Sequence, residues 1–537
     1  MVISTYAIED GASLSNDRLS DQEFYATLEL LSVANTRLES LIREVGNNPS
    51  LALELLEQHK TISKKIEHYH IALAPHKMLP PELLSHIFVL CSDDLTATGL
   101  RLPLHHHKTK APWSISYVCS RWRQIALANP HLWNTISVQY TLARDPIGIH
   151  NTVADILMLP RCGEHGVSLT FGGNVTPTIQ LAAAQNDLIS KYAHRIRHLK
   201  ISSNTSSIAP YLKSSPLQFT LLNSLKIETH HLPYESNNTL ADKPITLFEH
   251  AHSLRKLEVS ALDRSYFVSP KQFLIPWSHL TDLALHDVLV SPKMTLSMLQ
   301  ECVALVNCTL TLDDPFSAFS ANSADYSAYD IPIVLPNLHS LTLYIELWPL
   351  AAQIYNSILT PSLRILSLTP QSPQDMYRSE DPFRDALISL LRRSKCSLDQ
   401  FMCRYRHIPN LHQLLDEMPC LRALELPFST LRTSMLVAMC QDRLLPNLEF
   451  LECEIGSAQL FLDFLESRRP KSSYEAGKSS HYNVWGYDIP DQVFATQRIT
   501  ELWEQFSNPR RSAVLEFRTR GQTDIYWRYT IIGSHKL

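Results

Sequence analysis

Glycine is scarce in this chain, at 13 of 537 residues, and none of it is arranged as the Gly-rich loop that cradles phosphate. There is no GxSxG elbow, no HExxH helix and no CxxC pair, so neither a nucleophile–base constellation nor a cysteine metal site is written in the sequence. No cofactor or metal is expected. Charge of one sign is also lacking: 48 Lys and Arg oppose 53 Asp and Glu, and no field draws the chain to nucleic acid or anionic lipid. No stretch approaches 18 consecutive apolar residues, which excludes a spanning helix. The first twenty residues lack the basic flank and apolar run of a signal peptide. The ten scattered cysteines then read as reduced thiols, and the expectation is a soluble protein of the cytoplasm or nucleus. Asp93-Asp94 and Asp313-Asp314 read as solvated loop charge, and His105–His107 as part of a polar loop.

What is abundant is leucine, 82 residues of it, in two kinds of pattern. Residues 1–20 read as a flexible N-terminus. From 21 to 75 a 3-4 spacing predicts two helices. The first has a seam of Phe24, Leu28, Leu31, Leu38, Ile42 and Val45 that includes Asn35. "GNNPS" at 46–50 breaks it, and the second seam runs through Leu55, His59, Ile62, Ile66, Tyr69 and Leu73. The pair reads as an antiparallel hairpin, with coiled-coil dimerisation as the alternative.

Residues 76–140 form a second segment. Pro80 and Pro81 stop one element and start a helix, since proline at the first helical position loses no hydrogen bond. That helix carries Leu83, Leu84, Ile87, Phe88 and Leu90. Farther on, "VCSRWRQIALANPHLW" at 118–133 gives another apolar face with Val118, Cys119, Trp122 and Ile125. So short a segment cannot enclose this much apolar surface alone, and part of it needs a partner.

LPPELLxxIF followed by VCxxWRxIAxxxPxLW closely resembles the F-box, over about residues 50–140. The longer insertion from Cys91 to about Ser114, and the helix leading into the first motif, resemble the F-box-like families of mushroom-forming fungi. The resemblance implies docking on a Skp-type adaptor, and through it on a cullin-based ubiquitin ligase. The residues it implies for the adaptor are Leu79, Pro80, Leu83, Leu84, Ile87, Phe88, Val118, Cys119, Trp122, Leu132 and Trp133. It further implies a substrate-recognition subunit that makes and breaks no bond itself; the alternative is a non-degradative scaffold with these helices packed internally.

Residues 141–537 carry the second leucine pattern. L-x-x-L-x-L, with apolar substitutes, starts at 196, 222, 254, 280, 307, 338, 363, 398, 421 and 448. Ten copies at this period predict a leucine-rich-repeat-like solenoid, each contributing a short strand followed by a helix. Leu225, Leu257, Leu283, Leu310, Leu341, Leu366, Leu424 and Leu451 are expected in one buried row. The loops at 314–330 and 369–383 interrupt the array, 470–492 reads as a linker before a helix near 493–506, and 512–519 as a last strand. The overall class is α/β, a helical N-terminus followed by an irregular solenoid. Between the last two apolar positions of each strand lies a residue expected on the concave surface, where a client protein would bind. These are Lys200, Lys226, Glu258, Ala284, Thr311, Thr342, Ser367, Met402, Glu425 and Glu452, a row that begins basic and ends acidic.

Overall fold

Ser20 and Glu23 start the first helix as a reciprocal cap. The Glu23 N–H donates to Ser20 Oγ at 3.3 Å, and the Ser20 N–H reaches Glu23 Oε2 at 2.7 Å. These two bonds satisfy donors that a helix N-terminus otherwise leaves unpaired. In this computed structural model the residues described are 19–47, 52–93, 112–140, 159–173, 179–204, 208, 211–230, 244–260, 272–290, 292–312, 332–345, 348–370, 381–405, 408, 410–455, 460, 463, 464, 467, 480–486 and 513–519. The expected flexible terminus up to 18, the histidine run, the loop at 314–330, most of that at 369–383 and the helix near 493–506 lie outside them. Two compact units divide the chain, Met1–Val175 and Thr176–Leu537.

The first unit begins with α1 (Asp21–Asn47) and α2 (Ala52–Ala72), which pack on each other. The seam of α2 is the expected one. That of α1 is not: the residues turned inward are Phe24, Thr27, Leu31, Ala34, Leu38 and Leu41, a strict alternation of three and four. Leu28, Asn35 and Ile42 lie on the exposed flank instead. Phe24, Leu31 and Leu38 face inward as expected, but apolar identity chose the wrong neighbour elsewhere, because buried Thr27 and half-buried Ala34 are poor markers of a core.

A short turn, α3 (Pro75–Met78), leads to Leu79 in extended backbone and then to α4 (Pro81–Asp93). Pro81 is the first helical residue, and the Pro80 carbonyl accepts the first bond, from the Leu84 N–H at 3.1 Å. After α5 (Trp113–Ser116), α6 (Ser120–Ala128) is capped by a cysteine: Cys119 Sγ accepts the Trp122 N–H at 3.3 Å. β1 (Thr135–Tyr140) and β2 (Val167–Gly173) pair in parallel and complete the unit.

The second unit is a leucine-rich-repeat-like solenoid of parallel strands, preceded by α7 (Ile179–Tyr192). Its strands are β3 (Ile196–Asn204), β4 (Ser224–His230), β5 (Lys256–Ser260), β6 (Asp282–Val290) and β7 (Asn307–Leu312). After a two-residue strand β8 (Ile333–Val334) comes β9 (Ser340–Ile345); a second short strand, β10 (Ile358–Leu359), pairs with β8. β11 (Ile365–Pro370), β12 (Gln400–Cys403), β13 (Ala423–Leu431) and β14 (Phe450–Ile455) continue the main sheet. β15 (Ser480–Gly486) and β16 (Ala513–Thr519) end it. β15 corrects the expectation of a linker at 470–492; Tyr482 and Val484 register with Leu451 and Cys453.

A repeating hydrogen-bond ladder defines the units. The Asn223 carbonyl accepts the N–H groups of Arg255 and Lys256, and the Arg255 carbonyl those of Thr281 and Asp282. The same forked bond recurs at the carbonyls of Thr281, Val306, His339, Arg364, Asp399 and Arg422. Three buried columns run beneath it. The first is Ile196, Leu222, Leu254, Leu280, Leu305, Leu338, Leu363, Leu398, Leu421 and Leu448. The second follows the register Leu199, Leu225, Leu257, Leu283, Cys308, Leu341, Leu366, Phe401, Leu424 and Leu451. The third includes Ile227, Leu285, Leu310, Leu343 and Cys453. Leu310 therefore belongs to the third column, not the second.

Helices cover the sheet in later repeats: α8 (Pro292–Glu301), α9 (Trp348–Ser357), α10 (Asp381–Ser394), α11 (Leu411–Asp416) and α12 (Thr433–Cys440). Between β4 and β6 the described residues hold no α-helix, against the expectation of one per repeat. Pro244 and Pro276, both among those residues, oppose helix there. An aromatic stack fills the layer instead: Phe219 lies 5.2 Å from Phe248, which lies 6.5 Å from Phe273, itself 6.2 Å from Trp277.

Candidate interaction surfaces

In the first unit, the residues that resemble a docking motif separate into two sets. Leu84, Phe88, Leu132 and Trp133 are buried within the unit, as is Ala126. Their side chains turn into the unit and hold its helices together. Trp122 is half-buried against Phe88, ring centres 4.8 Å apart, and Trp133 Nε1 donates to the Ala126 carbonyl at 2.8 Å. Cys119 is spent on capping α6. Arg161 stacks on Trp133 at 4.7 Å and on Trp113 at 5.5 Å, and its burial there lowers the guanidinium pKa.

The other set faces outward. Leu83, Ile87 and Leu90 are 52%, 40% and 57% exposed, and their spacing of four and three puts them on one stripe of α4. Val118 and Tyr117 are more than half exposed just before α6. Leu79 is half-buried and Pro80 exposed. Sequence reasoning passed over one residue that matters here. Arg121 donates from Nη1 to the Lys77 carbonyl and from Nη2 to the Leu79 carbonyl, both at 2.6 Å. Its fork fixes the extended turn that carries Leu79 into α4. The tandem arginines flanking Trp122 were the available signal.

In the second unit the predicted row lies on the outward face of the sheet, with one correction. Strand register aligns Ala284 with Thr309 and Thr309 with Thr342. Thr311 is 2% exposed, donates to the Leu285 carbonyl at 3.2 Å, and registers beside Tyr344, whose ring meets that of His286. The expected frame took Leu310 and Leu312 as the last two apolar positions, whereas the column uses Cys308 and Leu310. With that change, all ten residues of the row are half-exposed.

The basic start of the row is not free charge. Lys200 and Lys226 both contact Glu228 at 2.9 Å, and Lys226 also contacts Glu258 at 2.5 Å. Partial burial alone would lower the Lys226 pKa, but its bonds to Glu258 and Glu228 outweigh that and raise it. For Glu228 burial works upward, and the bonds from Lys200 and Lys226 hold it below the usual carboxylate value. On the next strand pair Lys256 approaches Asp282 at 4.0 Å, which accepts from Asn307 Nδ2 at 2.7 Å. From β6 to β11 the row shortens to Ala284, Thr309, Thr342 and Ser367, then Met402 and Glu425 follow, with Gln400 Nε2 donating to Glu425 at 2.7 Å.

Among the described residues, no group of three or more His, Cys, Asp or Glu side chains could hold a metal, and no helix is long and apolar enough to cross a membrane. No family model and no curated protein matches the sequence. Among solved structures, an internalin from Listeria monocytogenes is similar at 15% identity, over 63% of this chain and 86% of that one, with a TM-score of 0.28. That score is too low to carry the fold, which rests on the register and the forked ladder.

Proposed function

We propose that the chain is the substrate-recognition subunit of a Skp–cullin–F-box ubiquitin ligase, acting in the cytoplasm or nucleus. The helical segment from Leu79 to Trp133 docks a Skp-type adaptor, and the outward face of the solenoid binds a client protein. The observation that carries the reading is the stripe Leu83, Ile87 and Leu90, apolar and exposed on the helix that the LPPELLSHIF motif forms. Exposed apolar patches on soluble units mark interaction sites. Catalysis by such a subunit is positional: a tethered client gains effective concentration beside the ubiquitin-carrying enzyme.

The scaffold reading has its own support, the inward packing of Leu84, Phe88, Leu132 and Trp133. Co-expression with a fungal Skp-type adaptor separates the two. The ligase reading expects stoichiometric co-purification, lost when Leu83 and Ile87 become Asp while the helical signal is unchanged. Absence of binding by the wild-type chain, or binding that survives both changes, leaves the scaffold.

A further inference from the structure

The hairpin satisfies its inward seam with its own residues and still presents a second apolar stripe. On α1, Leu28, Asn35 and Ile42 recur every seven residues, so they lie in one line with only a slight drift around the helix. Leu28 is 41% and Ile42 56% exposed, and Tyr25 beside them 69%. Leu56 of α2, 62% exposed, stands next to the 48–51 connection, at the level of Ile42. By helical phase, its offset from the α2 seam has the same sense as that of Ile42 from the α1 seam, which puts both on one flank of an antiparallel pair.

We propose that this flank is a homodimer interface, in which α1 of one copy packs antiparallel against α1 of a second. The pattern is self-complementary. In an antiparallel pair centred on Asn35, Leu28 of each copy meets Ile42 of the other, and the two Asn35 amides meet at the two-fold axis. A single polar residue inside an apolar seam fixes register and orientation, which is the role that position would serve. An isologous contact of this kind closes after two copies. The stripe itself carries no charge, and Glu39 falls near Ser32 of the second copy, not opposite a like charge. Size also fits a second copy. The 27 residues of α1 span ~40 Å, and a hairpin ~20 Å wide then covers ~800 Å² per copy, the area of a standard stable interface. The inference stands apart from the ligase reading, since neither Leu83 nor Trp122 takes part.

Light scattering on the full chain at micromolar concentration should give twice the 61.1 kDa of one copy. Leu28→Asp with Ile42→Asp, both at exposed positions, should return the monomer mass with unchanged helical signal and melting. In a background with Cys91 and Cys420 changed to Ser, Asn35→Cys should cross-link two copies under mild oxidation, and Val33→Cys, exposed on the opposite side of α1, should not. A monomer at every concentration overturns the proposal. So does a dimer that survives the double change, or equal cross-linking from positions 35 and 33.

Discussion

Lys226 is the hub of the outward charge network, bonded to both Glu228 and Glu258, so substitutions there weigh surface electrostatics against packing. Lys226→Met keeps the aliphatic stem and removes two pairs. Half-exposed pairs contribute ~0.2–1 kcal/mol each, so the loss of both is about 0.4–2 kcal/mol. Lys226→Glu places a third carboxylate among two. At an effective dielectric of ~40, unit charges ~5 Å apart repel by ~1.7 kcal/mol, and screening by solvent and salt reduces this to ~1 kcal/mol per pair. The total for Lys226→Glu is then about 2.4–4 kcal/mol. A solenoid opens by neighbouring repeats, so one melting temperature would blur the effect. Hydrogen exchange of peptides covering β3 to β5 reads it locally. At low salt, Lys226→Met should speed exchange there by ~2–30-fold and Lys226→Glu by ~60-fold or more, with β11 to β14 unchanged. At half-molar salt the gap between the two variants should shrink. Equal effects of the two at low salt would show that the network contributes contact area and no electrostatic stabilisation. One consequence reaches function: reversing Lys200 and Lys226 damages the fold of β3 to β5, so a loss of client capture by that variant would not identify a binding site.

The repeat architecture was legible because three requirements coincide in each strand: an inward pair two residues apart, an entry leucine three before it, and a period that lets neighbours share a core. Ten copies made the pattern robust to Phe401 or Cys453 standing in for leucine. Where one requirement was met by an unexpected residue, the reading slipped. At β7 the inward position falls to Cys308, and the next Leu-x-Leu drew the frame two residues onward. At α1 the inward seam uses Thr27 and Ala34, so the larger Leu28 and Ile42 were mistaken for it. The electrostatics of the outward row were illegible for another reason. Glu228 follows Lys226 by two residues on the same face of β4, and only the pairing of β3 with β4 brings Lys200 within reach of it. The docking motif was visible as a set of apolar types, but periodicity could not say which of them face each other; Leu84 and Phe88 differ from Leu83 and Ile87 by one step around the helix.

Arg121→Lys replaces a fork that holds two carbonyls with a point charge that holds one, and should free the turn at Leu79. On the ligase reading, adaptor affinity should fall ~10-fold with the helical content intact; an unchanged affinity would mean that the turn is held by packing alone. The frame at β7 gives the sharper test, because two threonines on one strand exchange roles. With Leu310 and Leu312 as the inward pair, Thr311 is the solvated residue between them and should accept a long charged side chain. With Cys308 and Leu310 as the pair, that place belongs to Thr309, half-exposed between Ala284 and Thr342. Thr311 is then sealed beside Tyr344, its hydroxyl spent on the Leu285 carbonyl. Thr311→Lys has to push an ammonium out past the His286 and Tyr344 rings and forfeits that hydrogen bond, which alone is worth ~1 kcal/mol; with overpacking of ~1–3 kcal/mol, the cost is about 2–4 kcal/mol. Thr309→Lys points into solvent beside small neighbours and should stay within ~0.5 kcal/mol of the wild type. Exchange protection of β6, β7 and β9 should therefore fall by ~30-fold or more for the first variant and barely move for the second. Two equally mild variants would restore the frame ending at Leu312 and move the outward row of this repeat back to Thr311.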